Sequence, residues 1–163
     1  MNNQEALTSI QECTNELTRI QFLIESVGGT SPLASFLTRY ATIKSCGTIE
    51  LCFKTIISDI HSGQSPQIVN YVDSTIRNSS MNPSLDNICK VLKKFDLEWC
   101  NNFKERFRRL PDYPKVKDSL ESLNEARNTF AHGKHITASF NDIKSYFHDS
   151  IKVIELLDNI VVD

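Results

Sequence analysis

Apolar positions recur at intervals of three and four through almost the whole chain, the spacing that places them on one side of a helix. Leu7, Ile10, Leu17, Ile20 and Ile24 form one such face and stop at Val27-Gly28-Gly29, where the glycines suit a helix terminus. The spacing predicts a first helix over about residues 4 to 26. Ser31-Pro32 then supplies a cap and first turn, after which Phe36, Leu37, Tyr40, Ile43, Gly47, Leu51 and Ile57 carry an apolar stripe to Ile60. Ser65-Pro66 opens a short third helix ending near Arg77, and Asn82-Pro83-Ser84 opens a fourth that carries Leu85, Ile88, Leu92 and Phe95. Another follows through Trp99, Phe103 and Phe107, until Pro111 and Pro114 interrupt the chain. Val116, Leu120, Leu123 and Ala126 lead on to Phe130-Ala131-His132-Gly133, with Gly133 placed just past a helix end. Ser139-Phe140-Asn141-Asp142 has the form of a capping box with aspartate in the glutamate position, and Ile143, Phe147, Ile151, Ile154, Leu157 and Ile160 follow it. No alternation of period two competes with this pattern. The expected fold is an all-α bundle of about six or seven helices with roughly four fifths of the residues helical.

Composition narrows the class. The 163 residues are 40% hydrophobic and 23% charged, the balance of a folded globular protein and enough chain for one domain, read as residues 1–163. No apolar run approaches the roughly 18 residues that a bilayer span needs, and Met1-Asn2-Asn3-Gln4-Glu5 lacks the basic and apolar regions of a signal peptide, which points to the cytoplasm. Cys13, Cys46, Cys52, Cys89 and Cys100 are odd in number and contain no Cys-x-x-Cys pair, so they read as reduced thiols, mostly small core residues. The net charge of −2 conceals an asymmetry: between Lys90 and Lys117 nine basic residues face four acidic ones, a local +5 that leaves −7 for the rest. Such a cluster can contact phosphates, and an ordinary solvated helix face explains it equally well.

The most chemically pointed string is Glu125-Ala126-Arg127-Asn128-Thr129-Phe130-Ala131-His132-Gly133. Gly133 lets the chain leave the helix directly after His132, which places the imidazole in the last turn, where the carbonyl end of the helix favours positive charge. Imidazole is the side chain suited to exchanging a proton near neutral pH. Asn128 lies one turn earlier on the same face, within reach of the ring. Arg127 is five residues from His132, about 140° around an ideal helix, so the two share no face unless the helix end unwinds or a second chain contributes.

Arg127-Asn128-x-x-Ala131-His132-Gly133 resembles the R-x(4–6)-H motif of the HEPN superfamily, including its polar residue after the arginine. Arg39-Tyr40-Ala41-Thr42-Ile43-Lys44-Ser45-Cys46-Gly47-Thr48-Ile49-Glu50, then Asn82-Pro83 and the segment to Trp99, resemble the RiboL-PSP-type branch in order and spacing. The resemblance implies a metal-independent endoribonuclease of the toxin–antitoxin, abortive-infection or antiviral kind, requiring no cofactor. It implies that His132 acts as general acid or base and that Arg127 holds the scissile phosphate, with two motifs paired across a helical homodimer. The implied products are a 2′,3′-cyclic phosphate and a 5′-hydroxyl, and the implied partners are RNA and an antitoxin or nucleotidyltransferase.

Glu50 occupies a position similar to an acidic site of that family, from which it would orient Arg127 or His132; an ordinary exposed glutamate is the competing account. Lys117, Lys134 and His135 are candidates for contact with RNA phosphates, against a solvated surface role. His132-x-x-His135 has a metal-like look, but the sequence offers no nearby carboxylate or cysteine at ligand spacing, and no metal site is assigned. Trp99, Phe103 and Phe107 read as core, and His61 and His148 as isolated side chains. A catalytically silent module of the same fold, binding RNA, a nucleotide or a partner, is the alternative, because fold alone does not fix activity.

Overall fold

The computed structural model describes residues 1–162. Among them it forms seven α-helices and no strand: α1 (Gln4–Val27), α2 (Pro32–Asp59), α3 (Pro66–Val72), α4 (Leu85–Phe95), α5 (Leu97–Arg108), α6 (Tyr113–Ala131) and α7 (Phe140–Val162). The helical share is 80%, the value the apolar spacing leads one to expect.

Polar caps set most of these boundaries. The Asn3 side chain accepts from the Ala6 amide, Ser31 from Leu33, Ser84 from Asn87 and Asp96 from Glu98, each satisfying a donor that the first helical turn leaves open. The capping box before α7 is reciprocal: Ser139 N–H donates to the Asp142 carboxylate at 2.8 Å, and Asp142 N–H donates to Ser139 Oγ at 3.2 Å. Two boundaries depart from the pattern. The third helix keeps α geometry only to Val72 and continues as a π turn, Asp73–Arg77, in which Arg77 pairs with Asp73 at 2.8 Å and with Asp59 at 2.5 Å. Pro114 lies inside the first turn of α6, where its missing N–H has no helical partner to lose, so Pro111 alone falls in the break.

α2 is the central element and packs against α1, α6, α7 and the π turn. Its buried side runs through Ala41, Cys46, Ile49, Cys52, Phe53, Ile56 and Ile57. The stripe of Phe36, Tyr40, Ile43, Gly47 and Leu51 therefore lies outside, on the solvent side of a helix that is apolar around most of its circumference. Leu17, Phe53, Phe103, Leu120, Leu123 and Ile154 are fully buried in one continuous core to which every helix contributes. Each such side chain stabilises the fold by roughly 1.5–3 kcal/mol relative to exposure.

Two buried carboxylates tie distant segments together. Asp158 on α7 accepts from the backbone amides of Asn2 and Asn3, fixing the start of α1 against the end of the chain. Asp149 accepts from Ser119 Oγ at 2.9 Å and pairs with Lys115 at 3.0 Å, joining α7 to the first half of α6. α6 is thus held between α2 and α7, and its free end carries the arginine and histidine.

Candidate functional site

The end of α6 is locked by backbone hydrogen bonds that the glycine makes possible. Gly133 takes a left-handed φ of +72°. Its amide donates to the Phe130 carbonyl at 2.8 Å and the Lys134 amide to the Thr129 carbonyl at 3.0 Å, the paired closure of a Schellman motif. His132, the last residue before this reversal, is exposed and opens into a hollow of about 400 Å³ bordered by Asn82, Asn124, Asn128, Thr129 and Lys134.

Arg127 faces elsewhere. It lines an adjacent hollow of about 340 Å³ with Glu50, Ser79, Met81, Asn82 and Asn87. Asn82 borders both spaces and is itself held by Asn87, whose amide donates to the Asn82 side-chain oxygen at 2.6 Å and to its carbonyl at 3.0 Å. The separation of arginine from histidine expected around the helix is therefore real within one chain: they flank Asn82. Arg127 Nη1 donates to Asn128 Oδ1 at 3.2 Å, so this side chain engages the guanidinium, while Asn128 also lines the histidine's hollow. The link between the two halves of the motif thus runs from Arg127 through Asn128 to the space in front of His132.

Glu50 reaches the arginine's hollow from α2, and its carboxylate pairs with Lys54 at 2.5 Å, one turn on. Lys54 is only 6% exposed and also donates to the Ser79 carbonyl, which pins the segment before α4 onto α2. Beneath the site, burial pushes the Cys46 thiol up to about 12; the positive charge of Arg127 opposes that rise and Glu50 adds to it. Cys46 donates to Asn124 Oδ1 at 3.5 Å across the α2–α6 seam. This thiol is therefore a packing group and a poor nucleophile at neutral pH. All five cysteines are free.

The remaining candidates scatter. Lys134 borders the histidine's hollow. His135 turns away to Arg39, with Nδ1 at 3.3 Å from the guanidinium, and Lys117 pairs with Glu121 at 3.7 Å, ten residues before Arg127 and outside both hollows. Among the described residues no group of three or more His, Cys, Asp and Glu is placed to hold a metal ion. Phe103 and Phe107 stack on each other in the core, and His61 stacks on Phe95. Two contributors, Asn82 and Lys54, are not among the site residues the sequence names. Asn82 reads there as a helix opener and Lys54 as one more lysine on a helix, because their roles depend on a contact between the segment before α4 and α2.

The outer side of α2 adjoins this site. Its exposed positions are Pro32, Leu33, Ser35, Phe36, Tyr40, Ile43, Gly47 and Leu51, and none is charged. Phe36 is 64% exposed and lies under the Arg39 guanidinium, which meets His135 of the loop after the motif. The Tyr40 hydroxyl is held by Glu16, which also pairs with Lys44. At its other end the stripe runs beside Glu50. Among the described residues no helix is long and apolar enough to cross a membrane.

A family model described as RiboL-PSP-HEPN matches residues 8–163. Neither the curated proteins nor the solved structures give a match.

Proposed function

Because the chain belongs to the RiboL-PSP-HEPN family, whose HEPN relationship points to RNase-like or nucleotide-binding modules, we propose that it is a metal-independent endoribonuclease acting in toxin–antitoxin or antiviral defence. The observation that carries the proposal is the placement of Arg127 and His132 on either side of Asn82 at a rigidly closed helix end, each facing open space. RNA brings its own nucleophile, the 2′-hydroxyl, so the protein must move protons and stabilise charge on phosphorus. His132 takes the proton of the 2′-hydroxyl or returns one to the 5′ leaving oxygen. Arg127, forked and permanently charged, holds the scissile phosphate as negative charge develops on it. Asn128 fixes the guanidinium, and the Glu50–Lys54 pair holds the wall of its hollow. Lys134, at the rim, attracts the phosphate backbone.

The working unit in this reading is a homodimer with one composite cleft. Arg127 and His132 of one chain do not face a common hollow, and an uncharged apolar stripe runs beside them on α2, self-complementary as a two-fold interface requires. A protein partner, antitoxin or nucleotidyltransferase, restrains the activity. The same separation of the two side chains favours a second reading if the chain works alone: a silent module that binds RNA or a nucleotide. Cleavage of labelled tRNA and total RNA by wild type, Arg127→Ala and His132→Ala separates the two. The nuclease reading predicts cutting by wild type alone, with helical circular dichroism unchanged in both variants and all-DNA oligonucleotides left intact. RNA binding without cutting by any of the three assigns the chain to the silent module.

A further inference from the structure

A separate cavity, of about 330 Å³, lies between α4 and α5. Tyr113, the first residue of α6, lines it, whereas the motif stands at the last turn of the same helix, about 27 Å away along a 1.5 Å rise per residue. Its size falls at the lower end of ligand-binding clefts, roughly 300–1,000 Å³. Its walls carry cations on both sides, Lys90 and Lys93 from α4 and Lys104 and Arg108 from α5, with the Asp86 carboxylate of α4 also in the lining, a net charge of +3. All four are exposed, and among the described residues none pairs with a carboxylate. Several lysines and arginines elsewhere do have acidic partners, among them Lys115 with Asp149, Lys44 with Glu16 and Arg77 with Asp59. Four like charges facing one another across a helical hairpin repel, and a bound polyanion removes that repulsion. Phe103 and Phe107 beneath them are buried, so neither ring is open for stacking a base, and the charge stands at the rim.

We propose that the α4–α5 cleft is an RNA exosite, in which Lys90, Lys93, Lys104 and Arg108 hold the phosphate backbone of the substrate at a distance from the motif. This rests on RNA being the ligand of the protein, as proposed above, and not on Arg127 and His132 being catalytic. Contact is through phosphates, so it is independent of sequence and strongly dependent on salt. The separation from His132 corresponds to about eight phosphates of a helical strand at 3.4 Å each, so a helical strand must be at least that long to engage both places.

The test uses the full chain carrying His132→Ala, which binds without cutting, and an unstructured 20-nucleotide RNA followed by fluorescence anisotropy across a salt series. Four phosphate contacts contribute a slope of about −2.8 to log K against log salt, at roughly −0.7 per contact on a single strand. Replacing the four cations by glutamine removes that part of the slope and weakens binding at least tenfold at low salt. The variant Lys90→Arg, Lys93→Arg, Lys104→Arg preserves both, which excludes a folding explanation. In the cleaving protein the glutamine variant raises KM and leaves kcat unchanged. An unchanged slope in the glutamine variant, no RNA binding at all, or displacement of the RNA by millimolar AMP acting at these residues overturns the exosite. A failed nuclease reading has a different signature: wild type that does not cut while the four-residue salt slope remains.

Discussion

A single buried lysine organises the wall behind Arg127. Lys54 pairs with Glu50 and binds the Ser79 carbonyl with almost no solvent access, so its removal leaves a carboxylate and a carbonyl without a partner. Breaking a buried pair of this kind costs about 3 kcal/mol. Lys54→Met is therefore expected to lower the unfolding free energy from urea titration by that amount, whereas Lys117→Met, whose pair with Glu121 is half exposed, stays within about 0.5 kcal/mol of wild type. Equal effects from the two substitutions would remove Lys54 from its organising role. Residues of the motif were legible in the sequence because Arg127, Asn128, His132 and Gly133 are neighbours and helix geometry alone relates them. Asn82 and Lys54 were not, since nothing local to either shows that the segment before α4 folds back on α2. The Asn128 side chain was expected beside the imidazole, and the structure engages its oxygen with Arg127 instead; one residue of separation allows that contact in a partly buried arginine.

Element boundaries were read closely because polar caps and glycines are local signals. The capping box at Ser139 and the cap at Ser31 each satisfy amides within three residues, so their chemistry is written in adjacent letters. The π turn after Val72 carried no such signal, as Asp73, Arg77 and the remote Asp59 define it together. At the end of α6, Gly133 has no neighbouring atom within 4 Å of an added Cβ, so the cost of a side chain there is purely conformational. Gly133→Ala is expected to destabilise by about 1–2 kcal/mol, the strain of a left-handed alanine. Because the Schellman bonds of Gly133 and Lys134 hold His132 in place, cleavage falls more than stability does, and NMR shows fraying confined to Thr129–Lys134. Normal activity with the same loss of stability would show that the closure of α6 does not position the histidine.

For the molecule as a whole, the uncharged outer side of α2 bears on how many chains make a site. The periodicity of Phe36, Tyr40, Ile43 and Leu51 identified a helix correctly but could not say which side faced the core, since apolar residues surround α2. Ile43→Glu sets a charge in the middle of the exposed stripe and replaces a β-branched residue by a better helix former. The composite-cleft account expects this variant to sediment as a folded monomer that has lost cleavage, where wild type sediments as a dimer; a dimeric and active variant would move the interface off α2. The catalytic claim itself is tested most directly by incubating wild type and His132→Ala with labelled total RNA and tRNA in excess EDTA and analysing the product ends. Fragments ending in 2′,3′-cyclic phosphate and 5′-hydroxyl from wild type alone are the predicted result. Equal cleavage by both proteins, or cleavage abolished by EDTA, would contradict metal-independent catalysis by His132.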